Sequence, residues 1–416
     1  MPESSDRYSN LDLQDQKLTD YQSELGVTHT RTATLPGFRT ASGYEFSGIE
    51  LEYMTLGRLS PRKDNAILIC HALSGNAHVA GIDPETGRPG WWDFHVGPGK
   101  TIDTDRFFVI CSNVIGGCNG STGPTSIDPS TDEPFRMSFP PVTIRDMVRA
   151  QVALIDSLGI DTLFAAIGGS MGGMQAMVWA IDYPERLRYC IPIASSMAHS
   201  AMQIAFNEVG RQAIITDPLW NNGNYDPGGS APEHGLAVAR MVGHITYLSE
   251  YAMRTKFGRR VQRPAAPRDI FPVFFSVESY LQHQGESFVK RFDPNSYLYI
   301  TKALDMFDLL EGRPSSQVFE PVKAHFLVIS FESDWLYPPD QSRRLVRALK
   351  RNNRVASYVN LETPYGHDSF LIQNAEFTRI VRNYLNRKYE SIQDSSAAEK
   401  QDARTAHSSS AGTTPA

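Results

Sequence analysis

The chain has 416 residues, 41% of them hydrophobic and 21% charged, with a formal net charge of −6. At roughly 150 residues per domain, that is chain enough for two or three structural units and a core that needs no disulfide or metal staple. The negative balance argues against a nucleic-acid or anionic-membrane surface, and no apolar run reaches the ~18 residues of a membrane span.

The opening stretch, MPESSDRYSNLDLQDQ, is polar and lacks a basic-then-apolar export pattern, so a cytoplasmic enzyme is expected. Residues 1–30 read as a flexible N-terminus. Residues 43–56 come before any helical pattern and predict an antiparallel edge. The near-continuous apolar runs Ala66–Cys70 and Phe107–Cys111 predict strands buried on both faces. Cys70 and Cys111 sit within those runs. Without C-x-x-C spacing to Cys118 or Cys190, they read as small buried hydrophobes.

Residues 145–159 predict an amphipathic helix, with Met147, Val148, Val152, Ile155 and Leu158 on one stripe and Gly159 as its stop. A strand at Leu163–Ile167, a helix at Met171–Asp182 and a strand at Cys190–Ala194 follow. Residues 196–321 carry helical patterns, notably 235–251 and 296–310, and predict a helical lid inserted between two strands. Strands at His325–Phe331 and Ala356–Leu361 and a helix at 375–388 complete the order. The tail, 390–416, is rich in Ser, Ala, Thr and charge and is expected to be disordered. Alternating strands and helices imply an α/β fold, a mostly parallel sheet with helices on both faces, formed by 31–195 and 322–389.

The strongest chemical signal is Gly168-Gly169-Ser170-Met171-Gly172-Gly173, a G-x-S-x-G motif with a strand before it and a helix after. A serine on so sharp a turn needs small neighbours, and the helix beginning there aims its N–H groups at a developing oxyanion. A nucleophilic serine needs a base and an orienting acid. Asp334 follows one late strand and His367 the next, where an open parallel sheet places its site. The loop His71-Ala72-Leu73-Ser74-Gly75-Asn76-Ala77-His78 follows strand Ala66–Cys70. With it, the N–H groups of Leu73 and Met171 become the expected oxyanion donors. His71 and His78 have no third ligand at sensible spacing, so no metal is expected.

Several longer motifs carry a resemblance. His71-Ala-Leu-Ser-Gly-Asn-Ala-His78-Val-Ala-Gly81, Gly90-Trp-Trp92, residues 112–124 (SNVIGGCNGSTGP), the serine elbow and residues 239–247 (ARMVGHITY) are similar to those of the homoserine O-acyltransferases of methionine biosynthesis. The likeness runs from about residue 37 to residue 389. It implies an α/β-hydrolase core with a helical lid, a homodimer formed through the lid helices, and acyl transfer from an acyl-CoA to L-homoserine through an acyl-serine. No cofactor beyond the acyl-CoA is implied.

Carried onto this chain, the resemblance makes Ser170 the nucleophile, His367 the base and Asp334 its orienter. Arg240 and Asp368 become the substrate-binding pair, which suits a zwitterion: a guanidinium for the carboxylate and a carboxylate for the ammonium. Tyr247 shares the helix face of Arg240 and is expected to line the pocket, whereas His244 reads equally well as a lid histidine. Relatives that use succinyl-CoA tend to carry Arg directly after the Asp-Trp pair. Here that position is Leu336, which offers no partner to a buried carboxylate, so acetyl-CoA is the expected donor. The competing readings are L-serine as acceptor, succinyl-CoA as donor, or a plain esterase or thioesterase.

Overall fold

The computed structural model describes residues 23–226, 229–261 and 273–410, with side chains described to residue 394. Residues 1–22 and 411–416, which belong to the two ends expected to be loose, lie outside the described residues.

Eight strands form the main sheet: β1 (Arg31–Arg39), β2 (Glu45–Leu56), β3 (Ala66–Cys70), β4 (Phe108–Ser112), β5 (Leu163–Gly169), β6 (Leu187–Ile193), β7 (His325–Phe331) and β8 (Ala356–Leu361). Their spatial order is β1-β2-β4-β3-β5-β6-β7-β8. β1 pairs antiparallel with β2 and β2 with β4; every later pairing is parallel. The edge meander at the start of the chain is therefore present. β3 and β5 are buried along their whole length, and side chains of the central strands alternate between two apolar layers. Ala66, Leu68 and Cys70 face one layer, Ile67 and Ile69 the other.

Helices α1 (Ile144–Ser157), α2 (Met171–Asp182) and α9 (Pro339–Arg351) contribute to the first layer. A reciprocal Thr143–Asp146 capping box starts α1. The second layer is closed by Trp92, Phe107 and the Phe377, Val381 and Leu385 stripe of α10 (Ala375–Ser410). Between β6 and β7 lie α3 (Ala201–Ile215), α4 (Glu233–Tyr247), α5 (Glu250–Lys256), α6 (Ser276–Val289), α7 (Pro294–Asp305) and α8 (Ser315–Phe319), the helical insertion.

Three expectations need correction. The helix expected over 235–251 breaks after Tyr247. Leu248 is extended, and the Ser249 hydroxyl caps α5 by accepting the Ala252 N–H. That break is pinned to the core: Trp335 Nε1 donates to the Leu248 carbonyl at 2.9 Å, and the Ser249 hydroxyl donates to the Pro364 carbonyl.

The tail from 390 is not irregular, because α10 continues to Ser410. Tyr389 packs edge-on against Phe107 and Phe164, and Arg106 pairs with Glu390. The Ala-Ala-Glu-Lys-Gln run beyond consists of good helix formers that lack apolar side chains, which is why burial and helix propensity give opposite readings there. Residues 23–30 are also tied down. Val27 bridges Ile82, and the Ser23 hydroxyl donates to buried Asp93 at 2.7 Å.

Candidate active site

Ser170 sits between β5 and α2 with φ 57° and ψ −121°, a conformation that costs a non-glycine residue about 1–3 kcal/mol. The surrounding glycines permit it. A Cβ at Gly172 would come within 2.0 Å of the Cys70 carbonyl oxygen, and one at Gly168 within 2.5 Å of the same atom. The Ser170 N–H donates to the Ile193 carbonyl at 2.9 Å, and the Ser195 hydroxyl donates to the Ser170 carbonyl at 2.9 Å. The turn is thus anchored to β6.

Asp334 follows β7 and His367 follows β8. His367 Nδ1 and Asp334 Oδ2 are 2.8 Å apart, with both side chains buried. A carboxylate there accepts the Nδ1–H hydrogen bond, so the proton chemistry falls to Nε2. The other Asp334 oxygen accepts the Tyr337 N–H at 2.8 Å, and the Tyr337 ring stacks on the imidazole with centroids 4.8 Å apart. The left-handed backbone of Gly366 (φ +76°) lets the His367 turn pass against the lid break. A Cβ there would lie 2.5 Å from the Ser249 nitrogen.

Among the described residues, the N–H groups of Leu73 and Met171 donate to no acceptor, that of Met171 being one of the free donors that open α2. Gln175, one turn along α2 from Met171, spans the two halves of this feature. Its amide donates to the His71 carbonyl at 3.2 Å and to the Met171 carbonyl at 3.4 Å, and it accepts from Gln151 at 2.7 Å. The two tryptophans of the Gly-Trp-Trp motif act as braces: Trp91 donates to the Asn76 carbonyl and Trp92 to the Phe370 carbonyl. His71 and His78 do not converge. His71 Nδ1 lies 2.7 Å from the Ala72 carbonyl oxygen, and His78 Nε2 lies 3.0 Å from the Thr28 hydroxyl. Burial lowers the His71 pKa to about 4, keeping the ring neutral.

Arg240 extends from α4. Its Nη1 donates to the Ser74 hydroxyl at 3.2 Å, and its guanidinium lies over Phe288 at 4.6 Å and near Tyr247 at 5.6 Å. Asp368 is 7% exposed. Burial raises its pKa, while the nearby His367 and Arg240 charges oppose the rise. Tyr247 stands between these groups, its ring 6.1 Å from that of His367. The structure brings Asp334, His367, Arg240, Asp368 and Tyr247 into one region, with Ser170 adjoining it through Tyr337.

Leu336 is buried in the large apolar cluster, its carbonyl accepting from Gln203 of α3 at 2.9 Å. His244 is a buried lid histidine whose Nδ1 lies 3.0 Å from the Tyr280 hydroxyl.

Three residues near the site were not anticipated. Arg291 Nη1 donates to the Ser74 carbonyl at 3.0 Å, placing a second guanidinium on the loop that Arg240 touches. Burial and the Arg240 charge lower its pKa to about 10. Gln175 and Tyr337 lie next to recognised motifs, and adjacency is the only signal the sequence carries for them.

The α/β-hydrolase fold family model matches residues 65–373. The homoserine O-acetyltransferase of Rhodospirillum rubrum is 55% identical over 350 residues, covering 84% of this chain and 90% of that protein. That of Gluconobacter oxydans is 52% identical, covering 86% and 93%. Among solved structures, homoserine O-acetyltransferase from Bacillus anthracis aligns with TM-score 0.81 at 28% identity, covering 86% of this chain and 98% of that one. Esterase E22 aligns with TM-score 0.79 at 33% identity, covering 86% and 100%. With this identity spread along most of its length, the chain belongs to the homoserine O-acetyltransferase family, built on the α/β-hydrolase fold.

Proposed function

We propose that the protein transfers the acetyl group of acetyl-CoA to the hydroxyl of L-homoserine through an acetyl-serine at Ser170. The observation that carries this reading is the pairing of Arg240 with Asp368 beside the base. A guanidinium in no ion pair with a described carboxylate and a buried carboxylate, within electrostatic reach of each other and the carboxylate within reach of His367, suit the two charges of an amino acid. A plain ester hydrolase has no use for such a clamp.

In the first half-reaction His367 Nε2 takes the Ser170 proton and Oγ attacks the thioester carbonyl. The oxyanion rests on the Leu73 and Met171 N–H groups. The carbon–sulfur bond then breaks, and the proton passes from His367 to the departing CoA sulfur. In the second half, the homoserine hydroxyl gives its proton to His367 and attacks the acetyl carbon. The bond to Ser170 breaks, and Oγ recovers the proton. The side chains supply all the proton chemistry, with acetyl-CoA as co-substrate. Leu336 supports acetyl over succinyl, because it gives a second carboxylate no partner.

We place the reaction in the cytoplasm, in keeping with four free cysteines and the absence, among the described residues, of any helix able to cross a membrane. We further propose a homodimer through the lid. Met202, Ile204 and Val209 of α3 and Val238 and Ile245 of α4 leave apolar side chains exposed in the single chain.

Mass spectrometry after rapid mixing with acetyl-CoA alone tests the covalent step. One acetyl group on the Ser170 peptide, lost on adding homoserine, is expected; an unmodified Ser170 with continued turnover contradicts it.

A further inference from the structure

A second buried histidine–carboxylate pair reaches the nucleophile through Tyr337. The Tyr337 hydroxyl lies 2.6 Å from His199 Nε2 and within electrostatic reach of the Ser170 side chain. His199 Nδ1 in turn lies 3.3 Å from Asp305 Oδ1, and these two side chains are 3% and 5% exposed. Asp305 also accepts from Asn207 at 2.8 Å and stands 2.7 Å from Arg211 Nη1. Asn207 and Arg211 are one turn apart on α3, and Asp305 ends α7, so the lid holds the pair.

The direction of the hydrogen bonds follows from charge. Burial pushes the Asp305 carboxyl up, but the bonds from His199 and Asn207 and the Arg211 charge outweigh it and keep the group ionised. An ionised Asp305 accepts a hydrogen bond from the Nδ1–H of His199, and in the tautomer this selects, Nε2 is the acceptor. The Tyr337 hydroxyl then donates to His199, and its oxygen faces Ser170 as an acceptor that the serine hydroxyl leaves when it turns its single hydrogen to His367 Nε2.

We propose that Tyr337, oriented by His199 and Asp305, is a positioning residue for acyl transfer that holds the Ser170 hydroxyl and the His367 ring in register. No proton leaves the phenol. Its hydrogen stays on the His199 side, so protonation of the departing Ser170 oxygen is reserved for His367. Contact with both triad partners supports this, through the N–H to Asp334 and the stack on His367. The seating of the lid is thereby coupled to the geometry of the nucleophile. This inference rests on the acyl-transfer reading above.

The test uses the full chain carrying Tyr337→Phe, which keeps the ring stack, His199→Leu, and both together. Two rates are read: labelling of Ser170 by a fluorophosphonate, which needs neither donor nor acceptor, and the CoA-release burst with acetyl-CoA. Tyr337→Phe is expected to slow both about tenfold, the effect of one hydrogen bond at a reacting group, with KM for acetyl-CoA unchanged. The double variant should be no slower than Tyr337→Phe, because the two residues act as one unit. Wild-type labelling in Tyr337→Phe overturns the proposal, and so do losses that multiply in the double variant. If His199→Leu does not fold, the Tyr337→Phe labelling rate alone decides. Failure of the unmodified protein to transfer acetyl to homoserine, with Ser170 still labelled, would instead count against the acyl-transfer reading.

Discussion

The Gln175 side chain donates to the carbonyl of His71, 104 positions earlier in the chain, at 3.2 Å. It thereby ties the helix that follows Ser170 to the loop that carries Leu73, the second of the two proposed oxyanion donors. The spacing between the Leu73 and Met171 N–H groups depends on this tie and on the Gln151 amide behind it. Gln175→Leu removes the tie and strands buried partners, each worth about 1–3 kcal/mol. We expect a lower Tm and a fall of about tenfold or more in kcat, shared by thioester and simple ester substrates. A variant that lost stability but kept kcat would show that the loop is held without Gln175.

Arg240→Ala should raise KM for homoserine steeply while leaving the acetylation burst and the hydrolysis of a small ester nearly intact. Arg240→Lys should restore little, because a point charge does not reproduce a bidentate fork. Parallel loss of ester hydrolysis would make Arg240 a structural residue of the lid.

The raised pKa of Asp368 gives the clamp a pH signature. Burial is the largest cause of the rise, so the carboxyl takes up its proton at a higher pH than an ordinary aspartate. Homoserine binding should weaken as pH falls through that range, read as a rise in KM for homoserine. Folding stability moves the other way. A carboxyl whose folded pKa is raised binds more protons folded than unfolded, so its penalty is relieved as pH falls. Asp368→Asn should show a high KM without that pH dependence, measured by initial rates between pH 4 and 8.

Leu336→Arg should raise turnover with succinyl-CoA relative to acetyl-CoA, by supplying a partner for the distal carboxylate. An unchanged donor ratio would mean that position 336 does not face the acyl group.

The exposed apolar side chains of α4 predict a further result. Val238 and Ile245 are both 43% exposed and lie two turns apart on one face. Val238→Glu with Ile245→Glu should convert a dimer to a monomer by light scattering. An unmodified protein that is already monomeric would contradict the lid interface.

Much of this site was legible because the chemistry follows strand ends. Ser170, Asp334 and His367 each come directly after an apolar run, and the order of those runs places the three side chains together. The positions of Arg240 and Asp368 come from the resemblance; a zwitterionic substrate gives them a chemical reason, and the lid folded over the base gives them a shared place. His199 was not legible. It is a lone histidine, and its partners Asp305 and Tyr337 are 106 and 138 residues away, brought close only by packing of α3 and α7 on the core. The break after Tyr247 was hidden for a similar reason. Ser249 and Leu248 take their partners from the Pro364 and Trp335 loops, and no local preference signals them. The length of α10 went unread because few apolar side chains mark it beyond Ile392.

The account rests most directly on whether an amino acid, rather than water, takes the acyl group. CoA release by the purified protein should be followed with acetyl-CoA or succinyl-CoA, each with L-homoserine, L-serine or no acceptor. Steady release from acetyl-CoA only when homoserine is present is the predicted result. Equal release without any acceptor would make the protein a thioesterase and contradict the clamp formed by Arg240 and Asp368.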